Sequence, residues 1–287
     1  MKHSSIYCIS LLILTISFSS CSKKIKQQED EIYSRHLQQH LKLTIISTPM
    51  PMPDDKSSMN LLLLNDGQDV ANLNLKETLN DLYNKKLIQP LMIVAIHTTK
   101  REEQYGVAGF PDFKNRGNKA DKYAEFIDNE LYFDIKKKAG VRKFNSIAIA
   151  GMSLGGLSAF DFAWNHADKI DKVGVFSGSF WWRDKDTNDS AYSDATNRIM
   201  LRFIKSSRKK PHLKYWFYAG ADEEKSDRDL DGITDVIDDT KDLIELIKSK
   251  NVCPPTDIVY EESATGKHDY AAWSKAFPSF LIWAFGK

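Results

Sequence analysis

The sequence has 287 residues, 40 basic against 39 acidic side chains, and 42% hydrophobic residues. That is apolar material for a sizeable core, far from the low-hydrophobicity, high-charge signature of a disordered chain. A formal net charge of +1 excludes a generally basic nucleic-acid binder, and three cysteines (Cys8, Cys21, Cys253) cannot build a disulfide framework.

Met1-Lys2-His3 is a short positive start, followed by an apolar stretch from about Ile6 to Phe18. The stretch is too short for a membrane span, which takes roughly 20 apolar residues, and it has the form of a secretory signal core. Ser19-Ser20-Cys21-Ser22 then resembles the lipobox of a bacterial lipoprotein, with Phe18 where that motif usually carries leucine. The reading is a signal peptide over residues 1–20 and a lipid anchor at Cys21 in a membrane. It predicts an extracytoplasmic protein, on the outer membrane or the cell surface. Residues 21–40 read as a polar, partly helical tether, and an acylated Cys21 leaves Cys253 without a partner.

From residue 41 to 287, short β-rich apolar runs alternate with helix-length amphipathic segments, the pattern of a mostly parallel sheet with helices on both faces. Strands are expected at Leu41–Ser47, Met59–Leu64, Leu91–His97, Ser146–Ala150, Val173–Phe176, Tyr215–Ala219 and Ile258–Tyr260. Helices are expected at Lys76–Ile88, Ala120–Ala139, Leu157–Asn165, Ala195–Ser206, Val236–Lys250 and Ala271–Phe285. The proline run Pro49-Met50-Pro51-Met52-Pro53 cannot join a central ladder and reads as a turn or edge loop. One α/β domain accounts for everything after the tether.

Gly151-Met152-Ser153-Leu154-Gly155 is a G-x-S-x-G pentapeptide with a further glycine at 156. It lies between an expected strand and an expected helix, the setting that makes this motif a nucleophile elbow. The sharp turn projects the Ser153 hydroxyl above the sheet and points the Leu154 N–H, at a helix start, toward a developing oxyanion. In such an elbow the order is serine, acid, histidine. Of seven histidines, His3, His36, His40 and His97 precede Ser153; His166 ends the helix launched by the elbow, and His212 precedes a strand. His268 remains, in a loop after the last strand, as the general base. The acid should follow the strand Tyr215–Ala219, where Asp222, Glu223 and Glu224 stand in a row. Spacing does not choose among them.

These residues carry a resemblance to the putative-esterase family of α/β hydrolases, which holds feruloyl and acetyl-xylan esterases, S-formylglutathione hydrolases, siderophore esterases and mycolyltransferases. Leu61 to Asp69 is similar to the family's apolar strand ending in L-x-D-G-x, and Arg101-Glu102-Glu103-Gln104-Tyr105 looks like its R-x-x-E-Y segment shifted by one residue. Ser177-Gly178-Ser179-Phe180-Trp181-Trp182 resembles its S-G-S-x-x-W, and His268 with Trp273, followed by Phe277-Pro278-Ser279-Phe280-Leu281, resembles its ending. The resemblance implies an α/β-hydrolase fold, Glu223 as the acid with Asp222 next, and Gln68 as the second oxyanion N–H. It also implies that Trp181 and Trp182 wall the substrate pocket, with core packing as the alternative. No cofactor is needed for the chemistry.

Asp227, Asp229, Asp231, Asp235 and Asp238 occupy positions 1, 3, 5, 9 and 12 of a loop with Gly232 at position 6. That is calcium-loop spacing, resembling thrombospondin type-3 loops, and predicts a structural calcium. The whole reading is a lipoprotein serine esterase acting through an acyl-enzyme. Its substrate is an acylated polysaccharide or similar small-molecule ester first, and a ferric-enterobactin-type siderophore next; acyl transfer would share the chemistry. The rival is a non-catalytic calcium-binding surface lipoprotein on a hydrolase scaffold.

Overall fold

The computed structural model describes residues 24–49 and 59–287. The signal peptide, Cys21 and the proline run from Met50 onward lie outside the described residues. In chain order the strands are β1 Lys26–Ser34, β2 Gln39–Ser47, β3 Asn60–Asn65, β4 Leu91–Ile96, β5 Ile147–Met152, β6 Lys172–Phe176, β7 Lys214–Gly220 and β8 Ile258–Ser263. The helices are α1 Leu75–Asn84, α2 Arg101–Gln104, α3 Ala120–Phe126, α4 Tyr132–Ala139, α5 Leu154–Asn165, α6 Asp194–Asn197, α7 Ile199–Ser206, α8 Asp235–Ser249 and α9 Tyr270–Phe285. A single π turn, Ile127–Leu131, joins α3 to α4.

The eight strands form one sheet in the order β1-β2-β4-β3-β5-β6-β7-β8. Strands β3 to β8 run parallel, and β2 pairs antiparallel with β4. This is the expected α/β-hydrolase fold. Strands β3, β4 and β5 are buried at every position, as parallel strands covered on both faces must be. Leu61 and Leu63 enter a core shared with α3, α4, α5, α7 and α8, while Leu62 and Leu64 enter the opposite core with α1 and α9. The period-2 alternation of the strand thus feeds two hydrophobic layers.

The tether expected at residues 21–40 is corrected over its described part. Residues 26–34 form β1, paired antiparallel with β2 from Lys26↔Ser47 to Ser34↔Gln39. Its sequence, KQQEDEIYS, is largely polar because this edge strand has solvent on most of its surface. The hairpin, closed through Gln38 at φ 55°, is held mainly by its backbone ladder, with Ile32 and Leu37 packing against the core. A second difference is the break in the helix expected at Ala195–Ser206. Arg198 adopts φ −71°, ψ 105° between α6 and α7 and sends its guanidinium to Asp239 and Asp242 on α8. Among the described residues no helix is long and apolar enough to cross a membrane.

Candidate active site

The parallel strands deliver their following loops to one edge of the sheet. Ser153 follows β5, Ser177 and Ser179 follow β6, Glu223 follows β7, and His268 follows β8. Ser153 is the residue before α5 and holds φ 53°, ψ −123°, a conformation that L-residues rarely adopt and that persists only when its surroundings enforce it. The enforcement is visible in the neighbouring glycines. A Cβ on Gly151 would lie 2.3 Å from the Gly155 carbonyl oxygen, and one on Gly155 would lie 2.5 Å from Asp66 Oδ2. The elbow therefore closes only without side chains at these two positions.

Asn65 and Asp66, at the end of β3, brace the same turn. Asn65 Nδ2 donates to the Gly155 carbonyl at 2.8 Å, and Tyr123 donates to Asn65 Oδ1 at 2.7 Å. Asp66 is buried and accepts from Arg101 Nε at 2.9 Å, while Arg101 Nη2 reaches the Met152 carbonyl at 3.3 Å. Burial pushes the pKa of the Asp66 carboxyl up and the Arg101 guanidinium opposes that rise. Gln68 follows two residues later, its side chain exposed and tied to Asp66, Asp69 and the Thr98 N–H. Among the described residues neither the Gln68 N–H nor the Leu154 N–H donates to any protein group. Both are free donors at the ends of neighbouring parallel strands.

The structure brings His268 and Glu223 together: His268 Nδ1 lies 2.8 Å from Glu223 Oε2. The Glu223 side chain is fully buried, and its other oxygen accepts from the Gly220 N–H at 2.6 Å and from Ser177 Oγ at 2.5 Å. Ser177 in turn accepts from Trp273 Nε1 at 2.8 Å, and the Trp273 ring stands edge-on to His268 at 5.1 Å. The acid loop is pinned to the histidine loop by backbone bonds, Asp222 N–H to Gly266 O at 3.0 Å and Ala221 N–H to Ser263 O at 2.9 Å. The two other candidate acids are engaged elsewhere. Asp222 is exposed, 4.0 Å from Lys267 Nζ, and Glu224 accepts the Val236 N–H at 2.8 Å. Asp269 caps α9, accepting the Ala272 N–H.

The structure does not bring Ser153 into hydrogen-bond contact with His268. The hydroxyl instead lies 3.5 Å from Ser179 Oγ, a long contact. With Nδ1 committed to Glu223, His268 Nε2 is the nitrogen left for the serine, a contact that commonly tightens only when substrate is bound.

Trp182 is corrected as a pocket wall. It is fully buried, its Nε1 donates to the Phe110 carbonyl at 3.1 Å, and its ring packs so closely on Gly106 and Gly117 that a Cβ on either would lie 2.8 Å away. Trp181 is half-buried and lines a cavity with Phe113 and Arg183. In the acidic loop, carboxylate oxygens of Asp227, Asp229 and Asp231 lie within 4.8 Å of one another. Asp235 is not among them: it is buried against Ser226 Oγ and the Arg228 guanidinium. Asp238 also stands outside that group, its carboxyl pushed up to about 6 by burial and by the charges of Asp231 and Asp229. Ser177, Trp273, Asp66 and Arg101 are contributors that sequence reasoning did not single out. Their only signal was their place in motifs shared with the resembled family.

The family model described as "Putative esterase" matches residues 34–284. A curated relative, the uncharacterized protein YbbA of Bacillus subtilis (strain 168), is 22% identical over 249 residues, covering 83% of this chain and 90% of its own. The enterobactin esterase FES from Shigella flexneri superposes with a TM-score of 0.66 at 19% identity, over 89% of this chain and 58% of that one. The present chain therefore spans little more than half of that enzyme. A ferulic acid esterase gives a TM-score of 0.66 at 17% identity, over 91% of this chain and 98% of the other. At these identities the solved structures share the fold.

Proposed function

The chain belongs to the Putative esterase family and is a carboxylic ester hydrolase; from that premise we propose that it works as a serine esterase through an acyl-enzyme. The observation that carries this reading is the buried Glu223 carboxylate held against His268 Nδ1 at the sheet edge where the strained Ser153 stands. His268 Nε2 takes the Ser153 proton as Oγ attacks the ester carbonyl. The free N–H groups of Leu154 and Gln68 hold the tetrahedral oxyanion; one such donor is worth about 2.7–4 kcal/mol to catalysis. His268 then protonates the leaving alcohol, and deacylation repeats the steps with water. Glu223 fixes the ring tautomer and stabilises the imidazolium. Family membership favours this enzyme over the non-catalytic scaffold.

The signal-like N-terminus and Cys21 support an extracytoplasmic, membrane-anchored esterase, whose substrate we take to be an acylated carbohydrate or similar ester. The siderophore alternative keeps a specific support in the fold shared with the Shigella enterobactin esterase. Calcium is a structural proposal only, on the group Asp227, Asp229 and Asp231. The test of the esterase reading is hydrolysis of a 4-nitrophenyl ester by the purified protein beside Ser153→Ala. Labelling of Ser153 by a fluorophosphonate is the second measurement. Activity in a correctly folded Ser153→Ala protein, or no labelling of the wild type at Ser153, overturns the proposal.

A further inference from the structure

A cavity of about 250 Å³ opens between the loop after β6, which supplies Trp181 and Arg183, and the loop after β7, which supplies Glu224. Phe113 and Lys114 close it from the segment between α2 and α3. Both walls are built by loops that also carry active-site residues. Glu224 adjoins Glu223, and Ser179, in contact with Ser153 Oγ, turns the chain by accepting the Trp182 N–H at 3.1 Å. Such a turn keeps the Ser179 and Trp182 Cα atoms within about 7 Å, and one more residue adds ~3.8 Å, so Arg183 starts within about 11 Å of Ser179.

Four cations stand around this cavity, and two of them are committed to carboxylates. Arg116 is paired with Asp112, and Arg228 is shared by Asp194, Asp235 and Asp239. Lys114 and Arg183 make no ion pair among the described residues; the Asp186 carboxylate bonds to Asn188 and attracts both cations only at longer range. Arg183 Nε is buried and donates to no protein acceptor. Its guanidinium is held by aromatic faces, 5.7 Å from the centre of Phe113, 5.6 Å from Trp181 and 6.0 Å from Tyr192. On the opposite wall Glu224 is engaged with the Val236 N–H.

A guanidinium that lines a cavity between aromatic rings and makes no ion pair has the shape and charge to receive a planar carboxylate. We propose that this cavity is a subsite for an ionised carboxylate carried by the substrate, with Arg183 as its receptor and Lys114 adding attraction from the rim. The proposal rests on the serine-esterase reading of Ser153. It narrows the substrate class to esters whose scissile carbonyl lies a short linker from a free carboxylate, such as hemi-esters of dicarboxylic acids or esters borne by acidic sugars.

The test compares kcat/KM for 4-nitrophenyl hydrogen glutarate and 4-nitrophenyl butyrate, in the full protein and in Arg183→Gln. Losing a hydrogen bond to a charged partner costs roughly 10- to 100-fold, so the glutarate-to-butyrate ratio should fall about tenfold or more in the variant. Arg183→Lys should recover part of it, and Lys114→Gln should lower the ratio less. A ratio unchanged in a folded Arg183→Gln protein overturns the subsite. Calorimetric titration with benzoate and with benzamide reads the subsite without catalysis. Benzoate should bind the wild type in preference to benzamide, and Arg183→Gln should lose that preference. Should neither ester be hydrolysed, the esterase reading fails while the titration still decides the subsite; equal binding of the two probes sinks it.

Discussion

Ser177 bridges the Glu223 carboxylate and the Trp273 indole, and that role can be measured. It donates to the buried Glu223 carboxylate and accepts from the Trp273 indole, itself only 4% exposed. Ser177→Ala keeps the Cβ, so the backbone at φ 52° gains no new strain. The variant loses a hydrogen bond to a charged acceptor, worth about 1.5 kcal/mol at the low end because Gly220 N–H still serves the same oxygen. It also leaves the indole N–H buried and unmatched, about 1–3 kcal/mol more, for a total near ~3 kcal/mol. Trp273→Phe removes the stranded donor. The double variant should therefore be more stable than the sum of the two losses implies, by about 1–2 kcal/mol, since the volume lost at Trp273 cancels in the cycle. Urea unfolding of the four proteins, followed by circular dichroism, measures that coupling. Additivity within ~0.5 kcal/mol would refute the bridge. A fall in kcat for Ser177→Ala should accompany it, because Glu223 loses one of the groups that fix its oxygens.

Glu223→Gln should lower kcat by about 10³-fold or more, since the amide cannot stabilise the imidazolium, whereas the exposed Asp222→Asn should change it less than about twofold; equal effects would reassign the acid. Gly155→Ala should destabilise the fold by about 1–3 kcal/mol and lower activity, because its Cβ meets a carboxylate already held by Arg101; a stable, active variant would contradict the packing. Asp161 is fully buried in α5 and its carboxyl is pushed up to about 7 by burial. The folded chain keeps a proton that the unfolded chain releases near pH 4, so this group's contribution is whole below that pH and is lost as pH rises toward about 7. The loss is at most about 4 kcal/mol, and Asp161→Asn should flatten the decline in urea midpoints between pH 5 and pH 8; parallel profiles would refute it. Millimolar calcium should raise the melting temperature, EDTA should reverse the rise, and Asp229→Asn should abolish it; no shift would remove calcium from the loop.

The parts of the fold that were legible are those where burial dictates residue type. Runs such as Leu61–Leu64 and Ile147–Ala150 are apolar at every position because parallel strands are covered on both faces, and their spacing alone announces the sheet. The elbow was legible because backbone geometry forbids side chains at Gly151 and Gly155. Strand β1 was not, because an edge strand is held by its ladder to β2, and backbone hydrogen bonds leave no mark on side-chain type. The break at Arg198 was equally silent: it follows from Asp239 and Asp242, about forty residues away on another helix.

The same distinction governs the site. Trp181 and Trp182 are identical neighbours, yet one lines a cavity and the other is sealed in the core by Gly106 and Gly117, some seventy residues upstream. Among Asp222, Glu223 and Glu224, chemistry at the level of residue type is equivalent. The difference lies in reach: one carboxylate is met by Gly220 N–H, Ser177 Oγ and His268 Nδ1, one by Val236 N–H, and one faces water near Lys267. A row of three acids after β7 thus offers one residue to the histidine, one to the helix behind it and one to solvent. The assignment is made by the loops that approach from β6 and β8, which is why the order of strands in the sheet carries more of the functional information than the local sequence around the acid.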